Sequence, residues 1–367
     1  MVEASLSESY DIVIIGAGPA GSSAAQAAVQ NGAKVLLIDQ KQRIGIPVRC
    51  AELVSQWISR YAHFSSTCVL QTTETMVTHL PNGTSYKMEG PAYMLDRSLF
   101  DKELAASAIL SGAKISIGTK AISPAPEGIV VQSGMEKRAI KSKVIIGADG
   151  VHSTTARWLG LSPFKTIVAL QYEVVISSYQ NHADVFFHRD YEGGYAWFFP
   201  KGKTANVGVG VIPLKRSFLL NLIAKFIKYI IDSKYLSSLE IVGKTGGSIP
   251  CGKPRQTVFG NTLLVGDAAG HAHPITGAGI LHAVIGGEIA GRVAAEAVRR
   301  GDLQSLENYE NEWRETFGKS LSYGALKREF LEENWNKPEV DFGELIRKTW
   351  VGFKEYYSDR KKAPPSP

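Results

Sequence analysis

Three glycines and an aspartate near the start of the sequence have the spacing of a dinucleotide-binding turn. Gly16, Gly18 and Gly21 form a GxGxxG pattern after the apolar run 11–15, and Asp39 follows 23 residues after Gly16. In this pattern the first glycine permits a tight turn, the second lets the backbone approach a diphosphate, and the third lets a helix pack on a strand. The carboxylate of Asp39 can accept hydrogen bonds from a ribose. The spacing therefore predicts a bound dinucleotide.

The segments around this turn are those of a βαβ unit. Residues 11–15 form a β-branched strand, the alanine-rich residues 22–31 read as a helix, and residues 34–38 read as a second strand. The N-terminus of the helix would present unpaired N–H groups and the positive end of its dipole to the diphosphate. Two later segments, 143–153 and 262–270, also run from a strand into a glycine-rich turn. We expect these junctions to converge on one cofactor.

The rest of the chain predicts a second sheet. Residues 166–251 and 67–94 contain period-two alternation, which is typical of antiparallel strands, and a long helix is predicted from about 280 to 300. The predicted fold class is α/β, a Rossmann-like cofactor-binding domain with an inserted antiparallel-sheet substrate domain and C-terminal helices. The predicted division assigns 1–66, 95–165 and 252–310 to the cofactor domain, 67–94 and 166–251 to the substrate domain, and 311–367 to a C-terminal helical segment and tail.

Composition excludes several classes of protein. The 367 residues carry 41 Lys and Arg against 35 Asp and Glu, and a net charge of +6 is too mild to indicate a nucleic-acid-binding protein. Cys50, Cys68 and Cys251 have neither disulfide nor metal-ligand spacing, so no metal site is expected. The sequence shows no export signal or transmembrane segment, which predicts a cytoplasmic protein.

Two segments resemble motifs of a known family. Residues 47–52 read PVRCAE, and residues 195–200 match the pattern YxWxFP. Over roughly residues 8–310 the chain resembles the geranylgeranyl reductases, including the digeranylgeranylglycerophospholipid reductases, which are FAD-dependent oxidoreductases of the para-hydroxybenzoate hydroxylase type. The resemblance implies FAD as cofactor and the reduction of carbon–carbon double bonds in isoprenoid chains of lipid precursors. It also implies an isoprenoid or prenylated lipid substrate and an external electron donor, ferredoxin or NAD(P)H.

The resemblance further implies the residues that bind FAD. They are Gly16, Gly18, Gly21 and Asp39 at the ADP half, Arg97 and Asp149 along the cofactor, Asp267 at the ribityl chain, and Pro274, Gly277 and Gly279 at the isoalloxazine. A helix that begins after Gly279 would direct its dipole at the ring, where negative charge accumulates on reduction.

Three residues are candidates for catalysis, and each has a structural alternative. Tyr195 and Trp197 alternate along a strand and so point the same way, either as a wall of the substrate pocket or as aromatic residues of the sheet core. Cys50 lies within the PVRCAE motif and could tune the flavin, gate its movement or donate a proton, whereas most free cysteines are small buried hydrophobes. His271 and His273 could relay protons or simply form hydrogen bonds within their loop.

Two segments suggest a peripheral membrane contact. Residues 217–239 predict an amphipathic helix that belongs to the core, lines a lipid tunnel or touches a bilayer. Residues 347–367 combine basic residues with Trp350, Phe353, Tyr356 and Tyr357, which suits either a membrane-surface contact or a frayed tail.

Two alternative functions stay open on the same fold. A flavin monooxygenase or hydroxylase would use oxygen chemistry that belongs largely to the cofactor. The related halogenases have a lysine where this chain has Arg43, and a WxWxIP motif where this chain has residues 195–200. An electron-transfer flavoprotein of the quinone-linked kind would need a cysteine-rich iron–sulfur module, and no cysteine follows Cys251.

Overall fold

The computed structural model describes residues 9–358. They form two eight-stranded sheets and the helices that pack on them. In chain order the strands are β1 (Ser9–Ile15), β2 (Val35–Ile38), β3 (Leu53–Ser55), β4 (Val69–His79), β5 (Ser85–Leu95), β6 (Lys114–Ser116), β7 (Thr119–Ala125), β8 (Gly128–Ser133), β9 (Glu136–Gly147), β10 (Thr166–Val175), β11 (His182–Phe186), β12 (Ala196–Lys201), β13 (Thr204–Val211), β14 (Ile241–Pro250), β15 (Val258–Phe259) and β16 (Thr262–Leu264).

The helices lie between and after these strands. They are α1 (Pro19–Gln30), α2 (Arg97–Leu110), α3 (Thr154–Trp158), α4 (Leu219–Asp232), α5 (Ile280–Arg300), α6 (Glu307–Trp313), α7 (Lys319–Asn334), α8 (Phe342–Thr349) and α9 (Lys354–Tyr357). Within residues 9–358, no helix combines the length and the apolar composition needed to cross a membrane.

The first sheet carries the glycine-rich turn. Its order is β15-β16-β9-β1-β2-β6, with β7 and β8 attached beside β9. β1 runs parallel to both β2 and β9, and its residues Ile12, Val13 and Ile14 are fully buried because α1 and α5 cover one face and β7 and β8 the other. The predicted Rossmann-like arrangement is confirmed, and the three predicted strand-to-turn junctions end on the neighbouring strands β1, β9 and β16.

The second sheet draws its strands from separate parts of the chain. Its order is β14-β10-β13-β12-β11-β4-β5-β3. Neighbouring strands are antiparallel except for β4 and β11, which run parallel. Leu53 pairs with Met94, so β3 belongs to this sheet although the predicted division places residues 1–66 in the cofactor domain. The domain boundaries themselves stay a prediction.

Helix α4 covers the outer face of the second sheet. Its buried residues Leu222, Ile223 and Phe226 join one core cluster with Phe198 and Val207 of the sheet. Tyr195 and Trp197 belong to a different cluster on the opposite face. The buried side of α4 agrees with its interpretation as a core helix, and its interpretations as the lining of a lipid tunnel or as a bilayer contact stay predictions.

The C-terminal helices cover the inner face. Trp350, Phe353 and Tyr356 are at most 5% exposed, and the Trp350 ring lies 5.1 Å from that of Tyr195 in an edge-on contact. The prediction that these aromatic residues touch a membrane or belong to a frayed tail is wrong, because their pattern serves the core; among these aromatics only Tyr357 is exposed. The remainder of the predicted tail, residues 359–367, lies outside the described residues.

Candidate active site

The glycines of the first turn are fixed by close packing, and one of them faces open space. A Cβ on Gly16 would lie 2.4 Å from the Ala148 carbonyl oxygen, and one on Gly21 would lie 1.8 Å from the Gly16 carbonyl oxygen. Gly16 also has φ +105°, which favours glycine. Nothing lies within 4 Å of a Cβ on Gly18, which is the N-cap of α1 and gives it no side-chain acceptor. The turn therefore leaves room and free N–H groups for a diphosphate.

Asp39 holds this turn from the neighbouring strand. Its Oδ2 accepts a hydrogen bond from the Ala17 N–H at 2.9 Å, and its Oδ1 accepts one from the Lys41 N–H at 2.8 Å. Each carboxylate oxygen keeps a second lone pair that can accept a ribose hydroxyl.

Asp149 is engaged within its own loop. Its carboxylate accepts hydrogen bonds from the N–H groups of Thr154 and Thr155, at 2.7 and 2.9 Å, and from the Ser153 hydroxyl. These contacts organise the first turn of α3. A direct contact between the Asp149 side chain and the cofactor stays a prediction.

Asp267 is a half-buried carboxylate without a hydrogen-bond partner among residues 9–358. It lies in the turn between β16 and the loop that leads to α5, and its Oδ1 is 3.4 Å from the position of a Cβ on Gly279. Burial raises the pKa of Asp267 to about 6, and the opposing field of Arg97 is too weak to cancel that effect. A half-buried, unpaired acceptor beside the start of α5 fits a ligand with hydroxyl groups, as a ribityl chain has.

The loop before α5 is held by His273. Its Nδ1 accepts hydrogen bonds from the N–H groups of Ile275 and Thr276, at 3.3 and 3.4 Å, and its Nε2 faces the Tyr356 hydroxyl at 3.4 Å. Burial lowers the pKa of His273 to about 4, so the ring is neutral at pH 7. The geometry favours the interpretation of His273 as a hydrogen-bonded loop residue.

His271 has a different environment. Its ring packs 4.6 Å from that of Trp313 and is fully buried, neither ring nitrogen has a hydrogen-bond partner among the described residues, and burial holds its pKa well below the usual value.

The N-terminus of α5 starts at Gly279 without a side-chain cap, so its first N–H groups remain available to a ligand. The loop 274–279 thus fits an electron-accepting ring, and the individual roles of Pro274 and Gly277 stay predictions.

The segment 48–52 is fastened across the inner face of the second sheet. Three side chains on β14, β10 and β13 donate hydrogen bonds to three of its backbone carbonyls, and we call these contacts the three latches. They join Thr245 Oγ1 to the Val48 carbonyl at 2.6 Å, Gln171 Nε2 to the Cys50 carbonyl at 3.3 Å, and Asn206 Nδ2 to the Ala51 carbonyl at 3.2 Å. The sheet therefore fixes the backbone that presents Cys50.

Glu52 completes the attachment. It is 3% exposed and has φ +67°, an uncommon conformation for a residue with a side chain. Its carboxylate accepts hydrogen bonds from Lys201 Nζ at 2.6 Å, Asn206 Nδ2 at 2.9 Å and the Arg97 N–H at 3.1 Å. Burial lowers the pKa of Lys201, but the carboxylates of Glu52 and Glu173 outweigh that effect and raise its pKa overall, so Lys201 stays protonated.

Arg97, at the start of α2, is a charged neighbour of Cys50 that does not belong to the three latches. Its guanidinium makes two hydrogen bonds to the Asp101 carboxylate, at 2.9 and 3.1 Å. Burial opposes the charge of Arg97, but Asp101 and Cys50 outweigh it and raise its pKa. Burial raises the pKa of the Cys50 thiol, with Arg97 acting in the opposite direction, so at neutral pH the group keeps its proton.

Trp197 and Tyr195 form one wall, as their alternation predicts. Trp197 Nε1 donates to Gln171 Oε1 at 3.0 Å, and the indole covers Gly208, where a Cβ would lie 2.2 Å from the ring. The Tyr195 hydroxyl donates to the Thr276 carbonyl at 2.6 Å and so ties the wall to the loop before α5. Burial raises the pKa of Tyr195, which therefore stays protonated.

A mostly apolar cavity separates this wall from the loop. Its lining includes Ile167, Tyr195, Trp197, Ile249, Ile275 and Gly277. Cys50 is not part of the lining; Gln171 connects it to Trp197, because the same side-chain amide bonds both. Arg328 also lines the cavity, with Nε bonded to Glu332 at 2.7 Å and Nη2 lacking a partner among the described residues.

Sequence reasoning missed Gln171, Asn206 and Arg328. Gln171 and Asn206 are at most 5% exposed, although they are polar residues on strands whose neighbours alternate. A polar residue at an inward position of such a strand is the signal that could have identified them. For Arg328 on α7 the sequence offers no comparable signal.

Two family models match this chain. An FAD-dependent oxidoreductase model covers residues 11–150, and a geranylgeranyl reductase catalytic-domain model covers residues 166–248. The digeranylgeranylglycerophospholipid reductase of Methanosarcina acetivorans is 34% identical over 345 residues, covering 86% of this chain and 83% of its own. The enzyme of that name from Methanocaldococcus jannaschii is 35% identical over 347 residues, covering 89% and 88%.

Solved structures show the same architecture. A geranylgeranyl bacteriochlorophyll reductase-like protein of Thermoplasma acidophilum superposes with a TM-score of 0.84 at 26% identity, covering 96% of this chain and 99% of its own. A flavin-dependent brominase superposes with a TM-score of 0.73 at 17% identity, covering 90% of each chain, and this likeness concerns the fold alone.

Proposed function

This chain belongs to the digeranylgeranylglycerophospholipid reductase family, and from that membership we propose that it reduces the carbon–carbon double bonds of geranylgeranyl chains on lipid precursors. FAD is its cofactor. The observation that carries the proposal is the apolar cavity between the Tyr195–Trp197 wall and the loop 274–279. An alkene offers no polar group to bind, so a pocket of this composition suits it.

The cofactor supplies the electron pair for saturating a double bond, and the protein supplies placement. Productive geometry requires reacting atoms within about 3–3.5 Å of each other. The Trp197 indole is fixed at its nitrogen by Gln171, and Tyr195 is fixed at its hydroxyl by the Thr276 carbonyl. Both rings therefore present rigid apolar surfaces against which a prenyl chain can be held.

We assign the proton that completes the reduction to Cys50. Burial keeps the thiol protonated at neutral pH, and the latches hold its backbone in place. Because Cys50 lies outside the cavity lining, this assignment requires the bound prenyl chain to reach past Gln171 to the thiol, which gives its proton to the neighbouring alkene carbon and regains one from solvent. Cys50→Ala should retain FAD and lose alkene reduction, whereas Cys68→Ala, at a buried cysteine outside the motif, should retain both. Full activity of Cys50→Ala would remove Cys50 from the mechanism.

The electron donor is external in this proposal, either ferredoxin or NAD(P)H. Each can be supplied in turn to the oxidised holoenzyme under anaerobic conditions, and bleaching of the flavin absorbance identifies the donor. Bleaching by neither would rule out both donors.

The test of the function itself uses chemically reduced holoenzyme and a geranylgeranyl lipid in the absence of oxygen. Mass spectrometry should show the gain of two hydrogens for each saturated bond, with one flavin reoxidised per bond. If no hydrogen is gained, and the product instead gains an oxygen atom once air is admitted, the monooxygenase alternative is correct and the proposal is wrong.

A further inference from the structure

Three exposed apolar side chains lie at the start of α4 and in the turn before it. Leu214, Phe218 and Leu220 are 85%, 53% and 68% exposed. Tyr229 is 50% exposed, but it lies on the opposite edge of α4 from Leu220, and its ring packs 5.8 Å from that of Phe186. The opposite side of α4 is buried against the sheet, so these side chains project from a firmly packed element. We call residues 213–229 the α4 surface.

The α4 surface is also basic. It carries Lys215, Arg216, Lys225 and Lys228 and no acidic residue within 213–229. Carboxylates at its edge engage three of these cations: Glu192 lies 3.4 Å from Lys215, Asp190 lies 3.7 Å from Lys225, and Asp232 lies 2.8 Å from Lys228. Arg216 has no ion-pair partner among the described residues, and it stands between Leu214 and Phe218 in the sequence.

This combination suits an anionic bilayer better than a protein partner. The exposed apolar side chains of Leu214 and Phe218 flank the cations Lys215 and Arg216 along the sequence. Helices that lie in a membrane interface show apolar side chains that enter the acyl boundary, flanked by lysine and arginine that meet anionic head groups.

The α4 surface adjoins a route towards the candidate active site. Leu214 stands at the mouth of a second cavity, whose lining includes Thr166, Ile212 and Trp335. Gly193 lines both this cavity and the one bounded by Tyr195 and Trp197. A Cβ on Gly193 would lie 2.6 Å from Ile212, so a larger side chain at this shared position would meet the Ile212 side chain.

We propose that the α4 surface docks on an anionic lipid bilayer and brings the mouth beside Leu214 to the membrane, where a prenyl chain enters. The bilayer contact stands on the exposed apolar and basic side chains alone, while the route for the prenyl chain rests on the proposed function. Docking would let a chain with no affinity for water pass from the acyl layer into an apolar cavity without crossing solvent.

The test uses variants of two residues that line neither cavity. The double variant Phe218→Asp with Leu220→Asp places acidic groups on the α4 surface. The matched control is Leu110→Asp with Met135→Asp, which changes two side chains that are 88% and 96% exposed elsewhere on the molecule. Binding of the holoenzymes to vesicles of phosphatidylglycerol and phosphatidylcholine, without substrate, is measured by sedimentation.

We expect wild type and the control to bind these vesicles equally and the α4 variant to bind at least about tenfold more weakly. Binding should also weaken when phosphatidylglycerol is omitted. Equal binding by the α4 variant and wild type, loss of binding in the control as well, or no binding by wild type would each overturn the proposal. A wild-type dimer that dissociates in the α4 variant would show a second copy of the chain as the partner and would also overturn it.

Activity separates this proposal from the proposed function. The α4 variant should lose reduction of geranylgeranyl lipid in vesicles and keep reduction of a short water-soluble prenyl analogue, with unchanged FAD content. Failure of wild type to reduce either substrate, with vesicle binding intact, would contradict the proposed function and leave the bilayer contact standing. Equal reduction of the vesicle substrate by wild type and the α4 variant would overturn the proposed entry of the chain from the membrane.

Discussion

The cofactor end and the substrate end of this molecule are built from different kinds of contact. At the cofactor end, close backbone packing around Gly16 and Gly21 and free N–H groups at the starts of α1 and α5 do most of the work. At the substrate end, side chains from separate strands reach across the sheet to hold the Cys50 segment and Trp197. The close backbone packing at Gly16 and Gly21 leaves no room for an added atom, whereas the residues of the three latches can be replaced at the cost of less exact positioning.

This difference predicts which property of the protein a substitution at each end should change. A change at the cofactor end should act on folding and FAD content, since the turn is part of the core. A change at the substrate end should act on rate with FAD retained, because the latches position groups without supporting the cofactor domain. Four experiments can break or sharpen this contrast, and they are ordered by the size of the expected effect.

The largest effect is expected at Gly21. Gly21→Ala puts a Cβ 1.8 Å from a backbone oxygen and should cost about 3 kcal/mol or more in the free energy of unfolding, with loss of FAD. Gly18→Ala meets nothing within 4 Å and should leave the apo-protein equally stable while weakening FAD binding. Thermal unfolding and flavin absorbance measure the two. Equal destabilisation by both substitutions would contradict the assignment of Gly21 to packing and of Gly18 to FAD binding.

Trp197→Ala should be next in size. Loss of the wall displaces an alkene that is oriented by packing alone, and a shift of about 1 Å can cost on the order of a hundredfold in rate. FAD content should stay near that of wild type, because Trp197 contacts the sheet and Gln171. Trp57→Ala, at a tryptophan that is 54% exposed, is the control for the substitution itself. Unchanged kcat in Trp197→Ala would show that Trp197 serves only the packing of the sheet core.

Asp267 gives a pH-dependent effect at the cofactor end. Its folded pKa of about 6 lies above the ordinary value of 3.8, so the folded apo-protein binds this proton more tightly and loses stability as the pH rises through that interval. The Asp267→Asn variant has no ionisable carboxyl group at this position. Between pH 4.5 and 7.5 its stability relative to wild type should increase by about 2 kcal/mol. Denaturant unfolding of apo-proteins at the two pH values tests this, and a constant difference would contradict it.

Asp267→Ala serves as the companion variant for the ligand. It should lower FAD occupancy more than Asp267→Asn, since the amide can still hydrogen-bond hydroxyl groups. Full occupancy in Asp267→Ala would remove Asp267 from the cofactor site.

The smallest effect is expected at Gln171. Gln171→Leu leaves the Trp197 N–H and the Cys50 carbonyl unpartnered, and kcat should fall about tenfold with FAD retained. In Gln171→Glu the new carboxylate faces the Cys50 carbonyl, so activity should recover as the pH falls and the acid becomes a donor. Gln132→Leu in β8 is the matched control. A pH profile of Gln171→Glu identical to that of wild type would show that the latch does not position the site.

What the sequence could predict follows the same division. The turn around Gly16 and the helix Ile280–Arg300 were predictable because their signals lie within a few neighbouring residues. The latches join residues 121 to 197 positions apart, and no local pattern specifies which polar side chain meets which carbonyl. The alternation of Tyr195 and Trp197 predicted a shared face but not their hydrogen bonds.

The C-terminal aromatics show why a correct pattern can still mislead. Aromatic rings among basic residues are equally typical of a membrane surface and of a helix pair that packs inward. Trp350 and Tyr356 are buried because α8 and α9 fold back over the second sheet, and only the fold determines this. The α4 surface is the converse case, where the exposed side of a core helix became visible only in the structure.

The contact between Tyr356 and His273 also bears on how the protein is made. Tyr356 lies 83 residues after His273, which holds the loop, and Tyr323 in turn donates a hydrogen bond to the Tyr356 carbonyl. A ribosome therefore finishes the loop 274–279 well before it synthesises the residue that supports it from behind. The first sheet has the same property, because β1 pairs with β9, and β9 with β16. Until those later residues are synthesised, the unfinished chain exposes strand edges and apolar surface of the kind that chaperones shield.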